Sequence, residues 1–203
     1  MITVINYGLG NINAIKRVYN NLNIPVKIAT KVNDLENSEK YILPGVGAFD
    51  YAMQKLNESG FKDVLNDKII NEGKYILGIC VGMQIMAKSS DEGNLPGLGW
   101  LDAEVIKFDN INNDRLSIPH MGWNNIIPNK TSPILNGLSS KSIFYFLHSY
   151  YFKTSFSDII IAKANYGNDF ICAVNHKNIF GVQFHPEKSH NQGIELLKNF
   201  AEL

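Results

Sequence analysis

A chain of 203 residues, 45% hydrophobic and 19% charged, has the composition of a soluble globular protein and can bury a sizeable core without disulfides. Nineteen basic residues balance nineteen acidic ones, and Arg115 and the scattered lysines form no basic stripe, which argues against nucleic-acid or membrane-surface binding. Cys80 and Cys172 lie far apart with no metal-ligand spacing, the start MITVINYGLGN lacks a basic leader, and no apolar run reaches about 18 residues, so a reduced, cytoplasmic protein without metal is expected.

The first half alternates two patterns. ITVINY (2–7) reads as a strand followed by the turn GLGN, and INAIKRVYNNL (12–22) puts Ile12, Ile15, Val18, Tyr19 and Leu22 at helical spacing. VKIAT (26–30) and KYILPGVG (40–47) read as strands. AFDYAMQKL (48–56) and FKDVLNDKIINEG (61–73) read as helices, the second ending at Gly73. YILGIC (75–80) is a fourth strand, and VGMQIMAKS (81–89) is expected to continue as a helix.

From about residue 97 the pattern becomes β-rich, with LDAEVIKF, SIFYFLH, YYFKT, DIIIAKA, FICAVNH and IFGVQFH as strand-like runs and NQGIELLKNFAEL as a closing helix. Alternating strand and helix predicts an α/β fold with a mixed, mainly parallel central sheet covered on both faces, followed by a β-rich second half. No linker, repeat or low-complexity segment interrupts it, so one domain over residues 1–203 is expected.

Cys80 carries the sharpest chemical signal. A lone cysteine in an apolar run is ordinarily a small buried hydrophobe. This one sits where a strand gives way to a helix, with Gly78 and Gly82 two residues to either side, the G-x-nucleophile-x-G spacing of a nucleophile elbow. Such a turn leaves no room for side chains at the flanking positions. It also points the sulfur toward the positive end of the following helix, which favours thiolate, and offers the Val81 N–H to an oxyanion.

A cysteine nucleophile needs a base. Among five histidines, His185 stands out in GVQFHPEKS, where Glu187 two residues on shares its face if the segment is extended. Glu187 would then fix the His185 tautomer while the other ring nitrogen serves Cys80. Cys172, alternating with apolar residues, reads as buried and inert, and Met83 and Met86 read as core filler.

GICVGMQ followed by a distant FHPEKS resembles the class I (triad) glutamine amidotransferases. NYGLGN, PGVGAFD, SSDEG, PHMGWN and FLHSYY, in this order over nearly the whole chain, are similar to the glutaminase subunits of imidazole glycerol phosphate synthases. The resemblance implies a Cys80–His185–Glu187 triad that hydrolyses glutamine through a thioester. It also implies an oxyanion hole from Val81 and the PGVG segment (Gly45, Val46, Gly47), whose backbone is thought to rearrange in that family. Glutamine would be held by Gln84, Glu92, His148, Ser149 and Tyr150. Glu92 suits the task physically, because a carboxylate pairs with an α-ammonium.

The same resemblance implies a partner, a (β/α)₈-barrel cyclase that receives ammonia through a dry channel, with Asn11, Trp123 and Lys188 at the contact. Trp123 is the natural anchor. No cofactor is implied. GLGNIN lacks the third glycine of a dinucleotide fingerprint, and no phosphate loop is present for an acceptor.

Two positions depart from the family pattern: Asn6 replaces a common Asp, and Lys88 a common Glu. They leave a paralogous reading open, in which ammonia goes to another synthase, for instance one amidating surface sugars. A cysteine hydrolase on the same architecture, and a non-catalytic scaffold, are further alternatives that the His-Pro-Glu order and the complete triad oppose.

Overall fold

Short β-branched runs alternate with amphipathic segments through the first 80 residues, and the backbone follows them. The computed structural model describes residues 1–108 and 117–203, so Arg115 lies outside the described residues. Its elements run β1 (Ile2–Ile5), α1 (Ile12–Asn21), β2 (Val26–Ala29), β3 (Lys40–Gly45), α2 (Phe49–Glu58), α3 (Phe61–Asn66), β4 (Tyr75–Cys80) and α4 (Val81–Gln84). There follow β5 (Ser89–Ser90), β6 (Glu104–Lys107), β7 (His120–Asn125), β8 (Ile127–Pro128), β9 (Ile143–His148) and β10 (Tyr150–Lys153). The chain closes with β11 (Ile160–Tyr166), β12 (Asn168–His176), β13 (Ile179–Val182) and α5 (His190–Ala201).

Among the described residues the main sheet has the order β2-β1-β3-β4-β13-β12-β10-β6-β5, with β11 on β12 and β8 on β11. The block from β2 to β13 is parallel, and β12, β10 and β6 continue it antiparallel. This is the mixed, mainly parallel sheet expected from the sequence. Strands in the parallel block are buried on both faces, which is why ITVI and YILGIC read as near-continuous apolar runs rather than alternating ones.

The helices seal the faces. α1 buries Ile15 and Tyr19, α2 buries Phe49, Ala52, Met53 and Leu56, and α5 buries Leu196, Leu197 and Phe200. Each large side chain so placed contributes roughly 1.5–3 kcal/mol. The Tyr19 hydroxyl donates to the Leu197 carbonyl at 3.0 Å and ties α1 to α5. α3 continues as a wider turn over Asp67–Asn71, and the chain leaves the helical path at Gly73, whose φ of +68° suits glycine.

Two local expectations need correction. The helix foreseen over 81–89 stops at Gln84. The carbonyls of Ile85, Met86, Ala87 and Lys88 instead accept from Leu98, Leu101, Gly99 and Gly97, and Lys88 N–H donates to Ala103, so the segment is drawn into sheet-like pairing. HMGWNN, read only as part of a motif, forms β7 and pairs antiparallel with β9 in a separate two-stranded sheet.

Three parallel strands end side by side. β3 delivers Gly45 opposite Cys80 at the end of β4, and β13 runs beside β4 with Val182 opposite Ile79. Crevices beyond the carboxyl ends of parallel strands are where α/β folds place ligands.

Candidate active site

The elbow is present, and its glycines are required. Cys80 has φ +54° and ψ −115°, a backbone state costing a non-glycine residue about 1–3 kcal/mol that surrounding packing must hold. A methyl on Gly82 would overlap the Leu43 carbonyl oxygen of β3. One on Gly78 would lie 2.7 Å from the Gly82 carbonyl oxygen, and one on Gly45 would lie 2.6 Å from the Gly82 nitrogen. β3, β4 and the elbow therefore touch backbone to backbone. As first residue of α4, Val81 has an N–H without an intrahelical acceptor, beside the sulfur.

His185 reaches Cys80 from beyond β13. Its N–H donates to the Tyr145 carbonyl at 2.9 Å, and its own carbonyl accepts from the Ser189 hydroxyl at 2.6 Å, so the backbone is pinned on both sides. His185 Nδ1 lies 2.9 Å from Glu187 Oε1. The pairing is the expected one, but its route is not: the chain enters a 3₁₀ turn over Pro186–Lys188 rather than staying extended. Burial alone would push the His185 imidazolium down. It is outweighed by the negative charge of Cys80, a hydrogen bond to Cys80, and the bond and charge of Glu187, which push the ring up to about 10. Both neighbours therefore favour the protonated ring over the neutral one.

These groups open on a cavity of about 420 Å³ lined by Val46, Gly47, Cys80, Val81, Gln84, Glu92, His148, Ser149, Tyr150 and His185, among others. Every residue assigned by resemblance to glutamine binding is on its wall. Glu92 is aimed by two devices: its Oε2 accepts from the Phe49 N–H at 2.8 Å, and Asp50 holds the following turn through the Asn94 and Leu95 N–H groups at 2.9 and 3.0 Å. Val46 is 39% exposed, and Gly47 has φ +92° with open space around it. The NYGLGN turn packs behind this loop, with the Tyr7 hydroxyl donating to the Pro44 carbonyl at 2.7 Å. Burial, then the Cys80 charge, raises the Tyr7 phenol far above its ordinary range, so it stays neutral.

The chain matches the family described as "Glutamine amidotransferase class-I" over residues 3–203. It belongs to the class I glutamine amidotransferases. This amidotransferase is 50% identical over 204 residues to the "Imidazole glycerol phosphate synthase subunit HisH" of Bdellovibrio bacteriovorus and to that of Leptospira borgpetersenii, with both chains covered completely in each case. It is 45% identical over 203 residues to "Imidazole glycerol phosphate synthase subunit HisH 2" of Pseudomonas aeruginosa, again over the whole of both chains. Its fold is shared with a solved structure described as a glutamine amidotransferase (TM-score 0.75, 21% identity, 100% and 99% of the chains). It is also shared with PurLQS from Thermotoga maritima (TM-score 0.71, 18% identity, 99% and 97%).

The amidotransferase also shows groups that the sequence did not single out. His120 Nδ1 lies 3.1 Å from His148 Nε2, and His120 is stacked between Phe146 and Tyr166 with ring centroids 4.8 and 4.1 Å away. Burial pushes His120 down to about 4 and is the main cause that pushes His148 down to about 3, so both are neutral. Only non-local pairing of β7 with β9 creates this contact. Cys172 is buried, as expected, and burial raises its thiol far out of the reactive range. Met83 and Met86 are fully buried. Of the departures from the family pattern, Asn6 accepts from the Gly8 N–H at 3.2 Å, and Lys88 pairs with Asp102 at 2.7 Å on the surface.

The residues assigned to a partner contact are all at the surface. Trp123 is 51% exposed and lies parallel to His190, 5.1 Å between ring centroids; Asn11 and Lys188 are exposed, with the Lys188 ammonium 5.3 Å over the Tyr145 ring. Met121, two residues before Trp123 on the same face of β7, is 65% exposed. Among the described residues no group of three or more His, Cys, Asp or Glu is placed to hold a metal ion, and no helix is long and apolar enough to cross a membrane.

Proposed function

We propose that this chain is the glutaminase subunit of an imidazole glycerol phosphate synthase, a single domain over residues 1–203. It hydrolyses glutamine to glutamate and ammonia with Cys80, His185 and Glu187 in histidine biosynthesis. The observation that carries the reading is the His185 ring held between Cys80 and Glu187 at the mouth of the cavity that also contains Gln84, Glu92, His148, Ser149 and Tyr150.

The geometry supports the following steps. Cys80 Sγ attacks the side-chain amide carbon, and the C–O π electrons move onto oxygen, facing the Val81 N–H and the Gly45–Val46–Gly47 backbone. His185 gives its proton to the departing nitrogen, and ammonia leaves a thioester on Cys80. His185, now neutral, takes a proton from water, which attacks the thioester; the C–S bond breaks and glutamate departs. Glu187 keeps Nδ1–H toward itself. Glu92 receives the substrate α-ammonium.

Free ammonia is lost by dilution and protonation, so the donor must dock on its acceptor. The apolar face of Met121 and Trp123, with Lys188 near it and Asn11 exposed at the start of α1, suits the (β/α)₈-barrel cyclase subunit that makes imidazole glycerol phosphate and the aminoimidazole carboxamide ribonucleotide AICAR, within the cytoplasm. No nucleic acid, membrane or cofactor enters this reading.

The test is glutamate release from glutamine by the chain alone, then with the cyclase loaded with its ribonucleotide. Strong stimulation by the loaded cyclase, abolished in Cys80→Ala with complex formation intact, is the expected result. Stimulation only by a different synthase would move the protein to a paralogous pathway, and full activity in Cys80→Ala would end the triad assignment.

A further inference from the structure

A second polar side chain, besides His185, touches Cys80. Gln183, fully buried in the segment between β13 and His185, places its Nε2 3.7 Å from Cys80 Sγ. Its Oε1 accepts from Gln84 Nε2 at 3.0 Å, and the same Gln84 nitrogen donates to the Tyr150 carbonyl at 3.1 Å. On the other side of that carbonyl stands His148 Nδ1, at 2.8 Å.

The direction of every bond in this chain is set by one group. A backbone carbonyl can only accept. Tyr150 therefore requires the nitrogen of Gln84, not its oxygen, and the second Gln84 N–H goes to Gln183 Oε1. That leaves the Gln183 NH₂ facing the sulfur. Turning the Gln183 amide over would set NH₂ against NH₂ at Gln84, a repulsion in place of a bond. The same carbonyl requires a proton on His148 Nδ1, so neutral His148 accepts at Nε2 from His120 Nδ1, and His120 Nε2 accepts from Asn124 at 3.3 Å. The Asn124 amide also donates to the Asn165 carbonyl at 2.8 Å. The network has no frustrated member along this path.

We propose that Gln183 is a further catalytic residue: its side-chain N–H donates to the Cys80 sulfur and stabilises the thiolate that attacks glutamine, with the Tyr150 carbonyl fixing the direction of the donation through Gln84. The inference rests on Cys80 being the nucleophile. A hydrogen bond to an anion is stronger than one to its neutral form, so the donation favours thiolate. The Leu147 carbonyl, 3.8 Å from the sulfur, acts the opposite way by accepting from the thiol. The His185 imidazolium is the charged neighbour, and the Tyr7 phenol the other titratable one. Gln183 adds a donor whose proton is never transferred, so it can serve every turn of the cycle unchanged.

The experiment compares wild type with Gln183→Met, which keeps length and loses the donor. Cys80 alkylation by iodoacetamide at pH 7 is followed on the Cys80 peptide, with buried Cys172 as the internal control. Glutaminase kinetics are measured in the complex with the loaded cyclase. The expected result is an alkylation rate and a kcat each lower by about tenfold or more, with KM within about twofold and an unchanged circular dichroism spectrum. A folded Gln183→Met with wild-type alkylation and kcat overturns the proposal. If that variant does not fold, the side-chain amide resonances of ¹⁵N-glutamine-labelled wild type decide. The Gln183 N–H must shift markedly when Cys80 is alkylated, and an unmoved resonance overturns the proposal. Full glutaminase activity in Cys80→Ala would instead overturn the nucleophile assignment, an outcome separate from both.

Discussion

His185 and Glu187 meet in a nearly dry place: Nδ1 and Oε1 are 2.9 Å apart, and each side chain is 2% exposed. The second carboxylate oxygen of Glu187 is buried with no hydrogen-bond partner among the described residues. A buried carboxylate that spends only one oxygen on a partner depends heavily on that partner, so Glu187 holds the imidazole proton at Nδ1 strongly. When the ring gives up its other proton toward Cys80, it is left in one tautomer, with Nδ1–H on Glu187.

Glu187→Gln is nearly the same shape and reverses this logic. An amide turned to donate would select the wrong tautomer, and one turned to accept would carry no charge. The loss expected in kcat is about 10²–10⁴-fold, by the precedent of carboxylate-to-amide changes in hydrolase triads. Stopped assays of glutamate release in the activated complex check it, and a loss below tenfold would mean Glu187 is structural.

Gly82→Ala is expected to cost more than about 3 kcal/mol, because the new methyl would meet the Leu43 carbonyl and neither strand can retreat. Gly73→Ala, with nothing within 4 Å but a φ of +68°, should cost only about 1 kcal/mol. Urea unfolding of both variants tests the contrast. Comparable midpoints would remove the case for backbone contact at the elbow.

Two buried histidines set an acid limit on stability. His120 is pushed down to about 4 and His148 to about 3, below the ordinary value near 6.5. The unfolded chain therefore binds protons there that the folded chain refuses, and stability falls as pH drops from about 6.5 toward 4. His185 works with the opposite sign. Raised to about 10, it favours folding below about 6.5, and that contribution is lost as pH rises from there through 10. Thermal unfolding against pH should show a dome, and His120→Gln should flatten its acid limb. An acid limb unchanged by that substitution would contradict the neutral-pair reading.

Trp123→Ala is expected to weaken cyclase binding by about 2 kcal/mol or more, roughly thirtyfold in Kd, while leaving the free chain as stable as before. The side chain is half exposed and rests on His190 alone by ring stacking and on Tyr145 at its edge, so its removal opens no core cavity. Titration calorimetry beside thermal melts separates the two effects. Equal affinity would move the partner surface elsewhere.

What the sequence made legible was local. Gly78, Cys80 and Gly82 stand in one turn, and His185 and Glu187 in another, so spacing alone brought each set together. The parallel block was equally plain, because strands buried on both faces spell unbroken apolar runs. β7 was not, since its polar residues His120 and Asn124 face inward while Met121 and Trp123 face out, the reverse of an ordinary amphipathic strand. The over-long elbow helix failed for a related reason: Ile85, Met86 and Ala87 are apolar enough for a helix face, yet their carbonyls serve residues some dozen positions downstream. Gln183 was in view within GVQFHPEKS but carries meaning only through Gln84 and Tyr150, which the chain reaches by long detours.

The backbone contact between Gly45, Gly82 and Leu43 bears on how a docked partner could act on this site. The base of the PGVG segment packs backbone to backbone against the elbow, and the Tyr7 hydroxyl donates to the Pro44 carbonyl. Only the peptide planes around Val46 and Gly47 are left to swivel. A cyclase docked as proposed would reach this loop through about two residues, with the rest of the scaffold as their housing.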